Sequence, residues 1–559
     1  MLPASIVRCR LRCTPPHRWG VWCRAIGLTA AALATTWLAE PRVCSAEKNP
    51  PSFEPVIEAA SAQAEKAITG FSLPKPFTVE LFAAEPMLAN PVALSIDRMG
   101  RVFVVESFRY GNNPQSTSLE DDLACRTVAD RLAMHQRKHG KEVENYTKRH
   151  DRVRLLEDTD RDGRADRATV FADRFNRVES GPAAGILALR DEVLLTSIPD
   201  LWQLKDEDGD GVAEKRKSLS HGYGVHVGFR GHDMHGPMLH VDGRVYFTIG
   251  DRGLHVETPE GVVSLPHQGA VLRCNRDGSG LEIFHAGLRN PQDLCSDDFG
   301  NLFTGDNNSD GGDKARLVHV IESGDSGWHM GWQYMGEKDY RRGPWNAERM
   351  WHLPFDGQAA DILPPIAHIG NGPSGVAFYP GTGLNEKYRG KMFLCDYNGS
   401  PAQTGVYAFG FKPDGASFQI DNLHRFLWGL SCSDAAFGPD GLYVADWAAA
   451  WNPAGKGRVY RVFHPEATAR RASEETAVLL GQGMQDRRNQ TLIGLLSHAD
   501  RRVRLDAQLE LTTRGAEAEK LLAQTALESS DQMARLHALW GLGILGRKDP
   551  NRLQGILPL

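Results

Sequence analysis

Four stretches of this chain bring together side chains that could hold a cation or move a proton. Asp158-x-Asp160-x-Asp162-Gly163-x-x-Asp166 and Asp206-x-Asp208-x-Asp210-Gly211-x-x-Glu214 place carboxylates at alternate positions of a turn, with a glycine for the sharp bend. Carboxylates spaced this way converge on one centre and suit a hard, oxygen-seeking cation such as Ca²⁺. Thr169 and Lys217 stand where an EF-hand carries its closing Glu. The two stretches therefore read as strand-joining turns, either calcium-holding in a structural role or simply acidic and solvated.

The third stretch is His232-Asp233-Met234-His235-Gly236, just before a strand pair ending Ile249-Gly250-Asp251. An imidazole is the side chain best suited to taking a proton near neutral pH, so His232 and His235 are candidate catalytic bases. With His221, His226 and His240 close in sequence, a metal cluster or a purely structural role are the other readings, although the spacing matches no standard zinc pattern. The fourth stretch is Gly287-Leu288-Arg289-Asn290-Pro291-Gln292, followed after one hairpin by the acid-and-amide run from Asp306 to Asp313. Arg289 offers a planar fork for a carboxylate or phosphate, and Asn290 can read a carbonyl beside it. Asp306, Asn308, Asp310 and Asp313 are candidate oxygen ligands for Ca²⁺, or members of a polar turn. The aromatic run Trp328 to Tyr334 suits a sugar, a planar cofactor or the core.

Such distant groups need a scaffold that gathers loops, and the internal repetition supplies one. An apolar strand, a tight turn and a second apolar strand ending in a small or acidic residue recur six times, ending at Glu106, Thr196, Asp251, Asp306, Asp396 and Asp446. Six related hairpins over this span predict a mainly β fold, a six-bladed β-propeller over 73–467, whose loops on one face meet at the axis. Beyond His464-Pro465 the composition turns to Ala, Leu, Arg and Glu with helical period, and Arg504-Leu505-Asp506-Ala507 returns as Arg535-Leu536-His537-Ala538. Asp500 and Asp531 are candidate caps for these stretches, and 475–559 reads as a small HEAT-like α-helical solenoid. Between the first two blades, residues 112–150 read as a polar loop insertion, a charged and solvated lid.

The first 46 residues carry six arginines against one glutamate and an uncharged run from Ala25 to Ala39, with Cys44-Ser45-Ala46 offering small residues for cleavage. We expect a signal peptide over 1–46, a linker over 47–72 and an exported protein of the periplasm or cell envelope. An uncleaved anchor or peripheral membrane association is the alternative. The whole sequence has a net charge of −6, and no Lys/Arg-rich stripe stands out, which disfavours a nucleic-acid partner. The cysteines after the leader are dispersed, with no C-x-x-C-H, so no covalent haem attachment is encoded. We expect them buried, with at most a disulfide or two.

Taken together, HVDGRVYFTIGD, AVLRCNRDGSGLEIFHAGLRNP, NPQDL…GNLFTGDNN and PSGVAFYPG resemble, in that order, the soluble glucose and sorbosone dehydrogenases, six-bladed propellers that hold pyrroloquinoline quinone. With the N-terminal leader and helical repeats, the layout is similar to membrane-bound-dehydrogenase-type proteins of planctomycete-type bacteria. The resemblance implies that His232, nineteen positions before Asp251, is the base taking a proton from a sugar or alcohol hydroxyl. It also implies that Arg289 and Asn290 contact the quinone, that Ca²⁺ polarises it, and that electrons pass to a separate acceptor such as a cytochrome c. The chain departs from that pattern where a Gln is expected soon after Gly250-Asp251, and at Ser431 and Ser433, where two arginines are expected. A non-catalytic glycan- or protein-binding scaffold and a metal-dependent hydrolase such as a lactonase are the competing readings on the same fold.

Overall fold

The computed structural model describes residues 53–111, 118–228, 231–334, 343–352, 355 and 362–555. The expected leader over 1–46 lies outside the described residues. The six predicted hairpins are the first two strands of six sheets, antiparallel throughout except for the short strand Gly324–Asp325, which pairs in parallel with the third sheet. The first blade runs from Pro91–Ile96 to Arg167–Phe175, the second from Ala183–Ala188 to Lys215–His221, and the third from Met234–Leu239 to Glu282–Leu288. The fourth starts at Pro291–Ser296, the fifth runs from Pro373–Phe378 to Ser417–Trp428, and the sixth holds Cys432–Gly438, Gly441–Asp446 and Arg458–Phe463. The fourth strand of the sixth blade is Thr78–Ala84, from the start of the domain, paired from Thr78↔Phe463 to Ala84↔Arg458. First and last strands thus close the ring, which removes a free sheet edge.

Alternation explains the burial. Strands such as Val102–Glu106, Val245–Ile249 and Leu302–Asp306 are buried throughout, because both of their faces pack against neighbouring sheets. The first strand of each blade lies innermost, against the inner strands of both neighbours. All six inner strands carry a register shift against their partners. A bulge there re-aims side chains along and across the axis. Asp293 Oδ2 accepts the Val376 N–H at 2.9 Å and Asp434 Oδ2 accepts the Leu94 N–H at 2.8 Å, each joining one blade to the next.

The inner strands all start on one face, and the second strands all end there. The insertion between the first blade's second and third strands lies on this face. It holds two helices, Leu119–Ala124 and Val128–His139, each opened by a capping box at Ser118 or Thr127. Its inner side is buried rather than solvated: the Arg131 guanidinium donates to the carbonyls of Gly224 and Glu179 at 3.0 and 2.7 Å. Part of the expected linker is also ordered, as the helix Gln63–Ile68 with Ala64 in the core.

Five helices follow the propeller: Ala467–Gln482, Asn489–Leu495, Arg501–Leu511, Ala516–Glu528 and Gln532–Lys548. Asp500 and Asp531 cap two of them, accepting the N–H groups of Arg502 and Ala534. These helices share an apolar core built around Leu492, Val503, Leu511, Leu522 and Leu542. They dock on the face opposite the insertion, against the tight turns: Arg98 pairs with Asp506 at 2.7 Å, Arg504 with Asp298 at 2.5 Å, and Gln508 donates to the Val241 carbonyl. Cys125, Cys274, Cys295, Cys395 and Cys432 are free and buried. Among the described residues, no helix is long and apolar enough to cross a membrane.

Candidate active site

At the insertion face a cavity of ≈ 500 Å³ opens on the axis, lined from every blade by residues at or just before an inner strand: Val92, Ala183, His232, Asn290, Gly372 and Ser433. His232 sits in the left-handed region at φ 68 and donates its backbone N–H to Asn290 Oδ1 at 3.0 Å. The turn is packed from below by Gly250, where a Cβ would lie 2.7 Å from His232 Cα. This close approach is why a glycine precedes Asp251.

The His232 Nδ1–H donates to Asp251 Oδ1 at 2.7 Å, and Asp251 Oδ2 accepts the buried Trp328 indole N–H at 3.0 Å. A carboxylate held from both sides fixes the imidazole's orientation and tautomer, so Nε2 keeps its lone pair. Burial pushes the His232 pKa down to about 4; Asp251 opposes this, and Arg289 and Arg252 add to it. Burial would raise Asp251, but His232 first, then Arg252 and Arg289, hold it well below the usual carboxylate range. At neutral pH the pair is therefore a neutral imidazole on a charged carboxylate, the state a general base needs.

Arg289 and Asn290 line the same cavity. Both of their backbone N–H groups donate to Asp306 Oδ1, at 3.0 and 2.7 Å. The Arg289 guanidinium lies 5.6 Å from the Trp328 ring centroid and 3.4 Å from Asp310. The facing wall is aromatic: Tyr110 packs edge-on to Trp447, and Tyr397 to Trp451. His235 lines the cavity floor, its Nδ1–H donating to the Ala184 carbonyl at 3.1 Å and its Nε2 buried without a partner. Burial pushes its pKa down to about 4.

The acid-and-amide run from Asp306 does not gather as a cation site. Asp306 is fully buried and ion-paired with Arg316 at 2.5 Å, because the last residue of a second strand points into the blade. Asp313 accepts from Ser309 and from the Trp345 indole, Asn308 faces the cavity, and Asp310 is exposed. Among the described residues, carboxylates converge instead in the two acidic turns, one holding Asp158, Asp160 and Asp162 and the other Asp206, Asp208, Asp210 and Glu214. Asp166 turns away to accept from Thr159. Both turns join third and fourth strands, so they lie on the face opposite the cavity. Any cation held there is remote from His232.

The residues present fit a planar group with hydrogen-bonding edges. Trp447 is 4% exposed and lines the cavity, its indole N–H has no partner, and Asn308 Oδ1 is likewise buried and unsatisfied. Buried polar atoms left unpaired mark where a bound group would supply partners. Charge sets a limit on that group: among the described lining residues Arg289 is the one guanidinium or ammonium, and Ser433 lines the wall where the resemblance implies an arginine. Sequence reasoning missed Asp251, Asp233, Trp328 and Trp447 as members of one site. The recurring strand-ending acid was the available signal for Asp251.

A family model described as a domain of unknown function, DUF7133, matches residues 63–451. No curated protein matches the chain significantly. Among solved structures, the chain is similar to an oxidoreductase of the glucose dehydrogenase type from Thermus thermophilus, at 17% identity and TM-score 0.42, covering 69% of this chain and 100% of that one. It is also similar to a PQQ-bound aldose sugar dehydrogenase from Streptomyces coelicolor, at 15% identity and TM-score 0.41, covering 70% and 100%. A third is the soluble aldose sugar dehydrogenase of Escherichia coli, at 15% identity and TM-score 0.43, again covering 70% and 100%.

Proposed function

The chain belongs to the DUF7133 family, and from that premise we propose that its axial cavity binds a hydroxylated small molecule, a sugar or an alcohol, for oxidation at the hydroxyl carbon. The observation that carries this reading is the His232–Asp251 pair at 2.7 Å, with Nε2 left for the cavity. The volume of ≈ 500 Å³ suits a small ligand bound beside a planar group. His232 Nε2 takes the hydroxyl proton, and Asp251, anchored by Trp328, stabilises the imidazolium that forms.

Arg289 and the Asn290 side-chain amide are the residues that would hold a quinone here, with the Tyr110–Trp447 wall as a flat surface. The chemistry a bound quinone supplies is acceptance of the hydride from the substrate carbon. Asn290 also keeps His232 in its strained turn, so one side chain couples the base to the cofactor position. The electrons then pass to a separate acceptor. We place this chemistry outside the cytoplasm, on the arginine-rich N-terminus and its uncharged run.

A dye-linked oxidation assay on the purified chain, with quinone and Ca²⁺ added and a panel of sugars and alcohols, tests the reading. Dye reduction that disappears in His232→Ala is the expected result. Hydrolysis of a lactone without dye reduction, or sugar binding without turnover, would overturn it in favour of a hydrolase or a binding scaffold.

A further inference from the structure

Asp233 follows the proposed base directly, and the role assigned to His232 does not use it. It is 2% exposed and lines the cavity, yet its Oδ1 is buried with no hydrogen-bond partner. Its neighbours on the second-blade side are small: a Cβ on Gly181 would lie 3.4 Å from that oxygen, and Pro182, Ala183 and Ala184 continue the lining. Its own carbonyl is spent on the Gly250 N–H at 3.1 Å, which keeps the residue's backbone fixed. Arg252, Arg109 and Arg131 act on this carboxyl only through space, and a rigidly placed, desolvated Oδ1 with no hydrogen-bond partner is costly unless a ligand completes it.

We infer that Asp233 is a ligand-contacting residue that holds a second hydroxyl of the bound molecule, so that the site selects vicinal diols and larger polyols over simple alcohols. This rests on the site reading above and extends it to specificity. Consecutive residues on one tight turn, both lining one cavity, can reach hydroxyls on adjacent carbons, His232 taking one and Asp233 the other. Burial also raises the Asp233 carboxyl well above its usual range. A carboxyl accepts from a ligand hydroxyl, and in its protonated form also donates to one.

The test is binding of D-glucose, xylitol and 1-propanol to the full chain by saturation-transfer NMR, in wild type, Asp233→Asn and Asp233→Ala, with thermal melts to establish folding. Glucose and xylitol are expected to bind wild type well ahead of 1-propanol. Their affinity should fall about tenfold in Asp233→Ala. Most of it should return in Asp233→Asn, which keeps one donor and one acceptor, while 1-propanol stays unchanged. Polyol binding that is equal in wild type and Asp233→Ala, or a loss shared equally by 1-propanol, overturns the assignment to Asp233 and leaves the site reading standing. Wild type that binds none of the three probes overturns both.

Discussion

Asp251 reaches His232 from beneath the cavity floor, its Oδ1 2.7 Å from Nδ1, and the two residues belong to the same blade, one before its inner strand and the other after its second strand. Hairpin pairing brings them together although nineteen residues separate them, and the Trp328 indole locks the carboxylate from the next blade's excursion. The base is thus oriented by the sheet itself.

Breaking that orientation should cost turnover more than binding. Asp251→Asn leaves the shape intact but removes the charge that stabilises the imidazolium, and a drop in kcat of about 10²–10⁴ with little change in KM is expected. Steady-state kinetics on the substrate found in the dye-linked assay checks it. An equal rise in KM with kcat unchanged would mean that Asp251 serves binding instead.

The pH profile follows from burial. With His232 held to about 4, it stays unprotonated through the neutral range. The rate kcat/KM should rise with pH through about 4 and stay flat between 6 and 8. A limb near the ordinary histidine value of about 6.5 would place another group in the proton transfer.

Acid should also weaken the fold. His226 and His537 are pushed down to about 3, and His235 and His285 to about 4, all by burial first. Between the unfolded value of about 6.5 and these values the unfolded chain binds more protons, so stability is full above about 6.5 and is lost as pH falls toward 4. Thermal melts at pH 7, 5.5 and 4.5 should show a falling Tm. A Tm that is flat across this window would show that these imidazoles are not buried neutral.

The acidic turns offer a separate readout. Asp206, Asp208, Asp210 and Glu214 bring four carboxylates to within 4.8 Å of one another. Like charges so close repel unless a cation sits among them. We expect Ca²⁺ to raise Tm by a few degrees and a chelator to reverse it, with the gain reduced in Asp208→Asn. Turnover at the opposite face should be unchanged in Asp208→Asn. Tm independent of Ca²⁺ would leave the turns as solvated loops.

The helical segment is tied to the propeller through a buried guanidinium. Arg504 pairs with Asp298 at 2.5 Å and donates to His537 and to the carbonyls of His498 and Ala499. Arg504 is buried, whereas Asp298 is only partly so and keeps Arg501 at 4.0 Å, so Arg504→Ala should cost about 1–3 kcal/mol, mostly through hydrogen-bond partners left unsatisfied. Urea unfolding measures it, with a loss under about 1 kcal/mol showing that the pair behaves as a surface contact.

What the sequence determined by itself was local. The six hairpins were legible because strand alternation and tight turns are written within fifteen or so residues, and the caps at Asp500 and Asp531 because a cap acts on its own next turn. His232, Arg289 and Asn290 were singled out as candidates through their motifs. Which acids meet was decided only in three dimensions. Asp306 and Asp313 share a polar run with Asn308 and Asp310, yet pleating sends the first into the blade and packing commits the second to Ser309 and Trp345. Asp233 and Trp447 come to one cavity from blades three and six, more than two hundred residues apart. No local spacing encodes that meeting, because ring closure sets it: each blade must stand against two neighbours, and only then do the starts of six inner strands surround one axis.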